Sequence, residues 1–237
     1  MRRIIMMLLR NIFRLPYIWI KFNYYAKHVD KYTEKQRYTL LKYIVRRANT
    51  GGNVKIVSGG IENIPKDSGF MFFPNHQGLY DVLAIIEACP IPFSVVAKEE
   101  VANYPLLKQT FACMKAYMLK RDDPRQGLEV INNVAREVRE GRNYLIFAEG
   151  TRSKDGNKVH DFKGGSFKAA TKAKCPIVPV ALIDSFKPFD ENSTKSVTVQ
   201  VHFLESLSYE EYKDMKTNEI AKIVEDRIQE FIDQKTK

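Results

Sequence analysis

The sequence predicts an α/β fold: a largely parallel central sheet flanked by helices, entered through an N-terminal helical hairpin. Three observations predict it. Short apolar runs alternate with amphipathic stretches from Gly51-Gly52 onward. The first 28 residues carry charge of one sign. Polar, chemically capable residues fall just after several of the apolar runs. At 237 residues the chain is long enough for one sizeable core and short for two. With 44% hydrophobic and 28% charged residues it belongs among folded chains rather than disordered ones. Residues 1–50 are therefore read as a helical appendage and residues 51–237 as the α/β domain.

The appendage begins with Arg2, Arg3, Arg10, Arg14, Lys21 and Lys27 scattered among apolar residues, and no acid precedes Asp30. Its uncharged stretches, 4–9 and 15–20, are far shorter than the roughly 20 residues needed to span a bilayer. A cleavable leader fits poorly, because Arg10 and Arg14 interrupt the apolar core and no small-residue cleavage site follows. Phe13, Trp19 and several tyrosines among these cations suit the membrane interface, with rings at the acyl boundary and Arg2, Arg3, Arg10, Arg14 and Lys21 facing lipid phosphates. The alternative is an ordinary helix packed on the domain. Pro16 is expected to kink or split the helix. A second helix is expected over 34–48, where Leu40, Leu41, Ile44, Val45 and Ala48 share a face. The two would form the hairpin.

In the domain, 54–57, 70–73, 93–97, 116–119, 144–148, 177–182 and 197–203 read as strands. The stretches 79–88, 125–140, 166–172 and 218–233 read as helices. The last shows an apolar stripe of Ile220, Ile223, Val224, Ile228, Phe231 and Ile232. Gly141 is placed to end the helix before it. Strands alternating with helices imply parallel pairing.

Such sheets bind ligands at the carboxyl ends of their strands. His76 follows the second predicted strand, Arg121 the fourth and Glu149 the fifth. His76 lies in Phe73-Pro74-Asn75-His76-Gln77-Gly78-Leu79-Tyr80-Asp81, and it suits the role of general base. Asp81 can orient it only if His76 sits in a loop folded back over the first helical turn, because side chains five apart on a regular helix face different ways. Otherwise Asp81 is a helix-start charge and His76 a surface residue. The second run is Phe147-Ala148-Glu149-Gly150-Thr151-Arg152-Ser153. Gly150 permits a tight turn. Arg152 can grip a phosphate through two parallel hydrogen bonds, and Thr151 can join it. A structural ion pair between Glu149 and Arg152 is the alternative. Ser166 lacks the flanking pattern of a strained nucleophile turn and reads as part of a phosphate-binding glycine turn or a tight helix start.

Together these runs resemble the glycerolipid acyltransferase family, and most closely its bacterial members acting on 1-acylglycerol-3-phosphate. Asn75-His76 with Asp81 resembles the first family motif. Lys98, Pro105 and Lys120-Arg121 resemble the second, residues 147–153 the third, and Val178-Pro179-Val180-Ala181 the fourth. The resemblance runs over roughly residues 54–205 in order and spacing. It implies that His76, oriented by Asp81, deprotonates the free hydroxyl of a lysophosphatidic acid, and that this oxygen attacks an acyl thioester directly, without an acyl-enzyme. Arg121, Glu149, Gly150, Thr151 and Arg152 would bind or shape the site of the acceptor's phosphate. Lys98, Val178 and Pro179 would lie at the acyl and donor pocket. The co-substrate would be acyl-CoA or acyl carrier protein, with no metal and no separate cofactor. The location would be the cytoplasmic face of the cell membrane, peripheral or monotopic, on anionic lipid. Two positions depart from the family: Gly78 replaces a common serine or threonine, and Lys120 precedes Arg121.

The formal net charge of +10 agrees with anionic partners. No nucleic-acid-binding pattern accompanies it, so nucleic acid is not an expected partner. Cys89, Cys113 and Cys175 are odd in number and far apart, which excludes a disulfide framework and suits buried thiols in a reducing compartment.

Overall fold

The computed structural model describes residues 2–104, 106–120 and 123–236. Its strands are β1 (Val54–Gly59), β2 (Met71–Pro74), β3 (Ser94–Lys98), β4 (Tyr117–Leu119), β5 (Tyr144–Ile146), β6 (Ile177–Ile183) and β7 (Val197–Phe203). They form one sheet in the order β1-β7-β6-β2-β5-β3-β4. The five strands from β6 to β4 run parallel. β7 is antiparallel to β6 and pairs parallel with β1. Each predicted strand is present, and the largely parallel sheet is as expected.

The helices are α1 (Arg2–Leu9), α2 (Leu15–Lys27), α3 (Glu34–Gly51), α4 (Asp81–Ala88), α5 (Leu107–Met114), α6 (Pro124–Arg139), α7 (Lys168–Ala173), α8 (Lys187–Asp190), α9 (Tyr209–Tyr212) and α10 (Thr217–Thr236). The central strands are apolar without interruption because both of their faces are covered. Phe70 and Phe72 enter a core shared with Leu41 of α3, Ile85 of α4 and Phe111 of α5. Met71 and Phe73 point the other way, toward Val134 of α6, Ala169 of α7 and Val224 of α10. A fully buried phenylalanine such as Phe72 contributes about 2 kcal/mol.

The N-terminal region departs from the predicted hairpin. Three helices form instead of two, and the break lies at residues 10–14 rather than at Pro16. Pro16 occupies the first turn of α2, where its missing N–H loses no hydrogen bond. Asn11, 4% exposed, holds the break: its amide donates to Met7 O (2.8 Å) and its oxygen accepts from Arg47. α3 starts on a capping box between Thr33 and Gln36. It does not lie outside the domain. Tyr38, Leu40, Leu41 and Val45 belong to the same core as Phe72, and buried Arg37 donates to Cys113 O at 2.7 Å. The core is continuous across residue 50.

Arg3 was expected among the lipid-facing cations, and the structure corrects this. It is 1% exposed and donates to Gly52 O (2.7 Å) and Lys195 O (2.9 Å), so it fastens α1 to the domain. Arg10 remains at the surface, held by Asn53 Oδ1 at 2.6 Å. Arg2, Phe13, Arg14 and Trp19 are exposed, and Lys21 is partly so. Among the described residues no helix is long and apolar enough to cross a membrane. The three cysteines are free and buried, and burial pushes the Cys89 and Cys113 thiols up to about 11 and Cys175 up to about 12.

Candidate active site

β2 delivers the chain to the carboxyl edge of the sheet, and three contacts pin the loop that follows. Buried Asn75 acts as a substitute strand residue: its Oδ1 accepts from Leu182 N (2.7 Å) and its Nδ2 donates to Leu182 O (3.1 Å), docking the loop on β6. The His76 backbone N–H donates to Glu149 Oε1 at 2.7 Å. The His76 carbonyl accepts from Ser153 N at 2.7 Å. The loop thereby turns the imidazole back over α4. His76 Nδ1 meets Asp81 Oδ2 at 2.8 Å, and the ring stacks on Phe147 with centroids 4.1 Å apart. The folded-back arrangement that the five-residue separation demanded is present.

Asp81 is fully buried, yet its carboxylate is well supplied with donors. Oδ2 accepts from the backbone N–H groups of Gln77 (2.7 Å) and Gly78 (3.0 Å) as well as from His76, and Oδ1 accepts from Ser185 Oγ at 2.5 Å. A buried carboxylate is tolerable only when supplied in this way. Asp81 is also the first residue of α4, where the helix dipole favours negative charge. With Nδ1 engaged, the ring offers Nε2 to the cavity that His76 lines.

That cavity, about 550 Å³, has two kinds of wall. Lys98, Arg152 and Lys154, together with Glu100 and Thr151, give it a charged, mainly cationic lining. Val82, Val95, Val101, Leu107, Phe111 and Leu119 add an apolar one. Arg152 also borders a second hollow of about 350 Å³ with Gln77 and Lys154. Gly150 lines the main cavity in a left-handed conformation, φ 69°, and a Cβ there would lie 3.0 Å from Lys163 Nζ. The left-handed turn favours glycine, whereas the Lys163 ammonium, at the end of a flexible side chain, could move aside.

The family model described as Acyltransferase matches residues 55–183. The chain belongs to the acyltransferase family. A 1-acyl-sn-glycerol-3-phosphate acyltransferase of Borreliella burgdorferi is 33% identical over 180 residues, 74% of this chain and 70% of that one. A protein of the same name from Cocos nucifera is 28% identical over 157 residues; the match spans 65% of this chain but only 51% of that relative's length. The crystal structure of the 1-acyl-sn-glycerophosphate (LPA) acyltransferase PlsC from Thermotoga maritima superimposes with a TM-score of 0.77. That alignment covers all of this chain and 98% of the other, at 23% identity, and establishes the shared fold.

Within this acyltransferase most of the expected residues converge and some do not. His76, Lys98, Gly150, Thr151 and Arg152 line one cavity, with Asp81 directly behind His76. Val178 and Pro179 do not line it. They lie in the first half of β6, paired with Phe72 and Phe73, and are buried in the sheet away from its carboxyl edge. The apolar wall comes instead from α4, β3 and α5. Arg121 and Pro105 lie outside the described residues. Glu149 is 3% exposed and supports the loop behind the cavity rather than facing it. No ion pair joins it to Arg152 among the described residues, and its Oε2 is buried without a partner.

Desolvation pushes the Glu149 carboxyl up to about 7. The folded protein therefore holds this proton more tightly than the unfolded chain does. The stability from protonation is complete below about pH 4.5 and is lost as pH rises through about 7. Glu149→Gln keeps an oxygen for the His76 N–H and removes the titration. Thermal melts at pH 5.5 and pH 8 are expected to show the variant losing less stability on alkalinisation than the wild type, by on the order of 2 kcal/mol. Equal losses would contradict the assignment.

Ser185, Gln77, Asn157 and Phe147 complete the site, and sequence reasoning assigned none of them a role. Only Ser185 carried a usable signal, since it lies two residues past the end of β6 at the same edge of the sheet as His76 and Glu149.

Proposed function

We propose that this acyltransferase moves an acyl group from an acyl thioester, acyl-CoA or acyl carrier protein, to the sn-2 hydroxyl of 1-acylglycerol-3-phosphate, giving phosphatidic acid. The observation that carries this reading is one cavity combining a carboxylate-held imidazole, a cationic wall and an apolar wall. The names of the curated relatives supply the acceptor. His76 Nε2 takes the hydroxyl proton as the oxygen forms its bond to the thioester carbonyl. The C–S bond then breaks, and the proton passes to the departing thiolate. Asp81 holds the ring and stabilises the imidazolium between these steps. Arg152 and Lys154 neutralise the acceptor's phosphate, and Val82, Val95, Leu107 and Phe111 surround an acyl chain. Supplying purified protein with a mixed pool of lysophospholipids and glycerol-3-phosphate, then identifying products by mass spectrometry, tests the acceptor. Phosphatidic acid is expected; acylation of glycerol-3-phosphate or of zwitterionic lysolipids instead would replace this reading with a related acyltransferase.

The same reading places the protein on anionic lipid at the cytoplasmic face of the cell membrane. Phe13 is 97% exposed, Ile20 70% and Leu9 60%, and Arg2 and Arg14 are exposed in the same N-terminal region. Deleting residues 1–28 would not test this, because Arg3, Met7 and Phe22 are built into the fold. Phe13→Ser with Trp19→Ser removes exposed rings alone. The double variant is expected to bind phosphatidylglycerol-containing vesicles about tenfold more weakly in cosedimentation, with unchanged melting. Unchanged partitioning would remove the lipid-facing role.

A further inference from the structure

The fourth donor to Asp81 comes from a different strand than the others. Gln77, Gly78 and His76 all approach Oδ2 from the loop after β2. Oδ1 receives the hydroxyl of Ser185, which follows β6 and is fully buried. The direction of that hydroxyl is fixed by its surroundings. Gln77 Oε1 lies 2.9 Å away but already accepts Ser185 N–H at 2.8 Å. Gln77 Nε2 in turn donates to Asn157 Oδ1 at 2.8 Å, so the amide cannot turn over without losing both contacts. The hydroxyl proton therefore goes to the nearer and charged acceptor, Asp81.

We propose that Ser185 is a positioning residue for the reaction: its hydroxyl clamps Asp81 Oδ1, so that the carboxylate presents Oδ2 to His76 Nδ1 in one orientation. This rests on the general-base role of His76. Ser185 is fully buried and does not border the cavity. Its influence must pass through Asp81. Without the clamp the carboxylate is held on one side only and can turn about its Cβ–Cγ bond, and an oxygen buried away from water loses its partner. Less of its charge is then neutralised locally, and more is available to an imidazolium at His76.

The test is the pH dependence of acyl transfer by the full chain, using 1-acylglycerol-3-phosphate and acyl-CoA. In Ser185→Ala, kcat is expected to fall about tenfold with both KM values unchanged, and the acid limb of the kcat profile to move up by about half a pH unit. The charged groups around the dyad, namely Lys98, Glu100, Arg152 and Lys154 in the cavity, Glu149 behind it and Asp190 beside Gly78, are the same in both proteins. Movement of the limb therefore reports the dyad. Ser185→Cys retains a weak donor of similar size and is expected to be intermediate in both readouts; it also serves if the alanine variant fails to fold. A fall in kcat with an unmoved limb, or no fall at all, overturns the proposal. His76→Ala separates the two levels: if that variant stays active the general-base reading fails, whereas an inactive His76→Ala beside an unaltered Ser185→Ala removes only the role of Ser185.

Discussion

His76→Ala is expected to reduce acyl transfer by about 10³-fold while leaving the protein folded. The size of the loss follows from what the ring alone supplies. An alcohol is a poor nucleophile at neutral pH, and among the described residues lining the cavity no second imidazole can take its proton. The retention of fold follows from which atoms of residue 76 bear structure. Its backbone N–H and carbonyl make the contacts to Glu149 and Ser153, and both survive the substitution. The side chain is 20% exposed and rests on Phe147 at the cavity surface, so its removal opens the site rather than the core. Asp81 loses one donor but keeps Gln77 N, Gly78 N and Ser185 Oγ. A net hydrogen bond is worth about 1 kcal/mol, so melting should fall only slightly. The measurement is steady-state transfer with a thermal melt of the same preparation. Turnover within tenfold of wild type would end the general-base assignment.

The sequence made the sheet legible because its strands are buried on both faces. Residues 70–73 and 177–183 had to be apolar throughout, and such runs bounded by turns stand out. The dyad was legible for a different reason. A histidine just past a strand and a carboxylate five residues on have one workable geometry, and the loop adopts it. At the N-terminus it was Arg3 that departed from expectation, because charge and exposure are separate properties. Arg3 looks like Arg2 in sequence, but only Arg3 faces two backbone carbonyls. α5 escaped because two turns, with Leu107, Phe111 and Met114 inward, are too short to establish a period. It supplies part of the apolar lining, whereas the resemblance put the acyl and donor pocket at Lys98, which lines the cavity, and at Val178 and Pro179, which do not. Glu149 was recognised, but its role depends on which way its carboxylate points. It points behind the loop, at His76 N, and composition cannot reveal that.

Asp81→Asn is expected to lower kcat by about 10²-fold to 10³-fold and to move the acid limb of the pH profile downward, opposite to the shift for Ser185→Ala. The amide can enter the site without dismantling it. Its oxygen fits the Oδ2 position, where three N–H groups converge. Its NH₂ then meets Ser185 Oγ, which can rotate to accept. One N–H of the amide is left without an acceptor, but the three contacts at the Oδ2 position persist, so His76 keeps its tautomer and place, and the chief missing element is charge. A neutral amide does not stabilise the imidazolium that forms as the acceptor hydroxyl gives up its proton, so the barrier rises even though the geometry persists. The two substitutions thus separate two functions of one side chain: Ser185→Ala loosens its orientation and leaves its charge, while Asp81→Asn preserves its orientation and removes the charge. Steady-state profiles of both variants against wild type decide the matter. An unmoved acid limb and near-wild-type kcat in Asp81→Asn would mean that Asp81 acts on His76 through position alone.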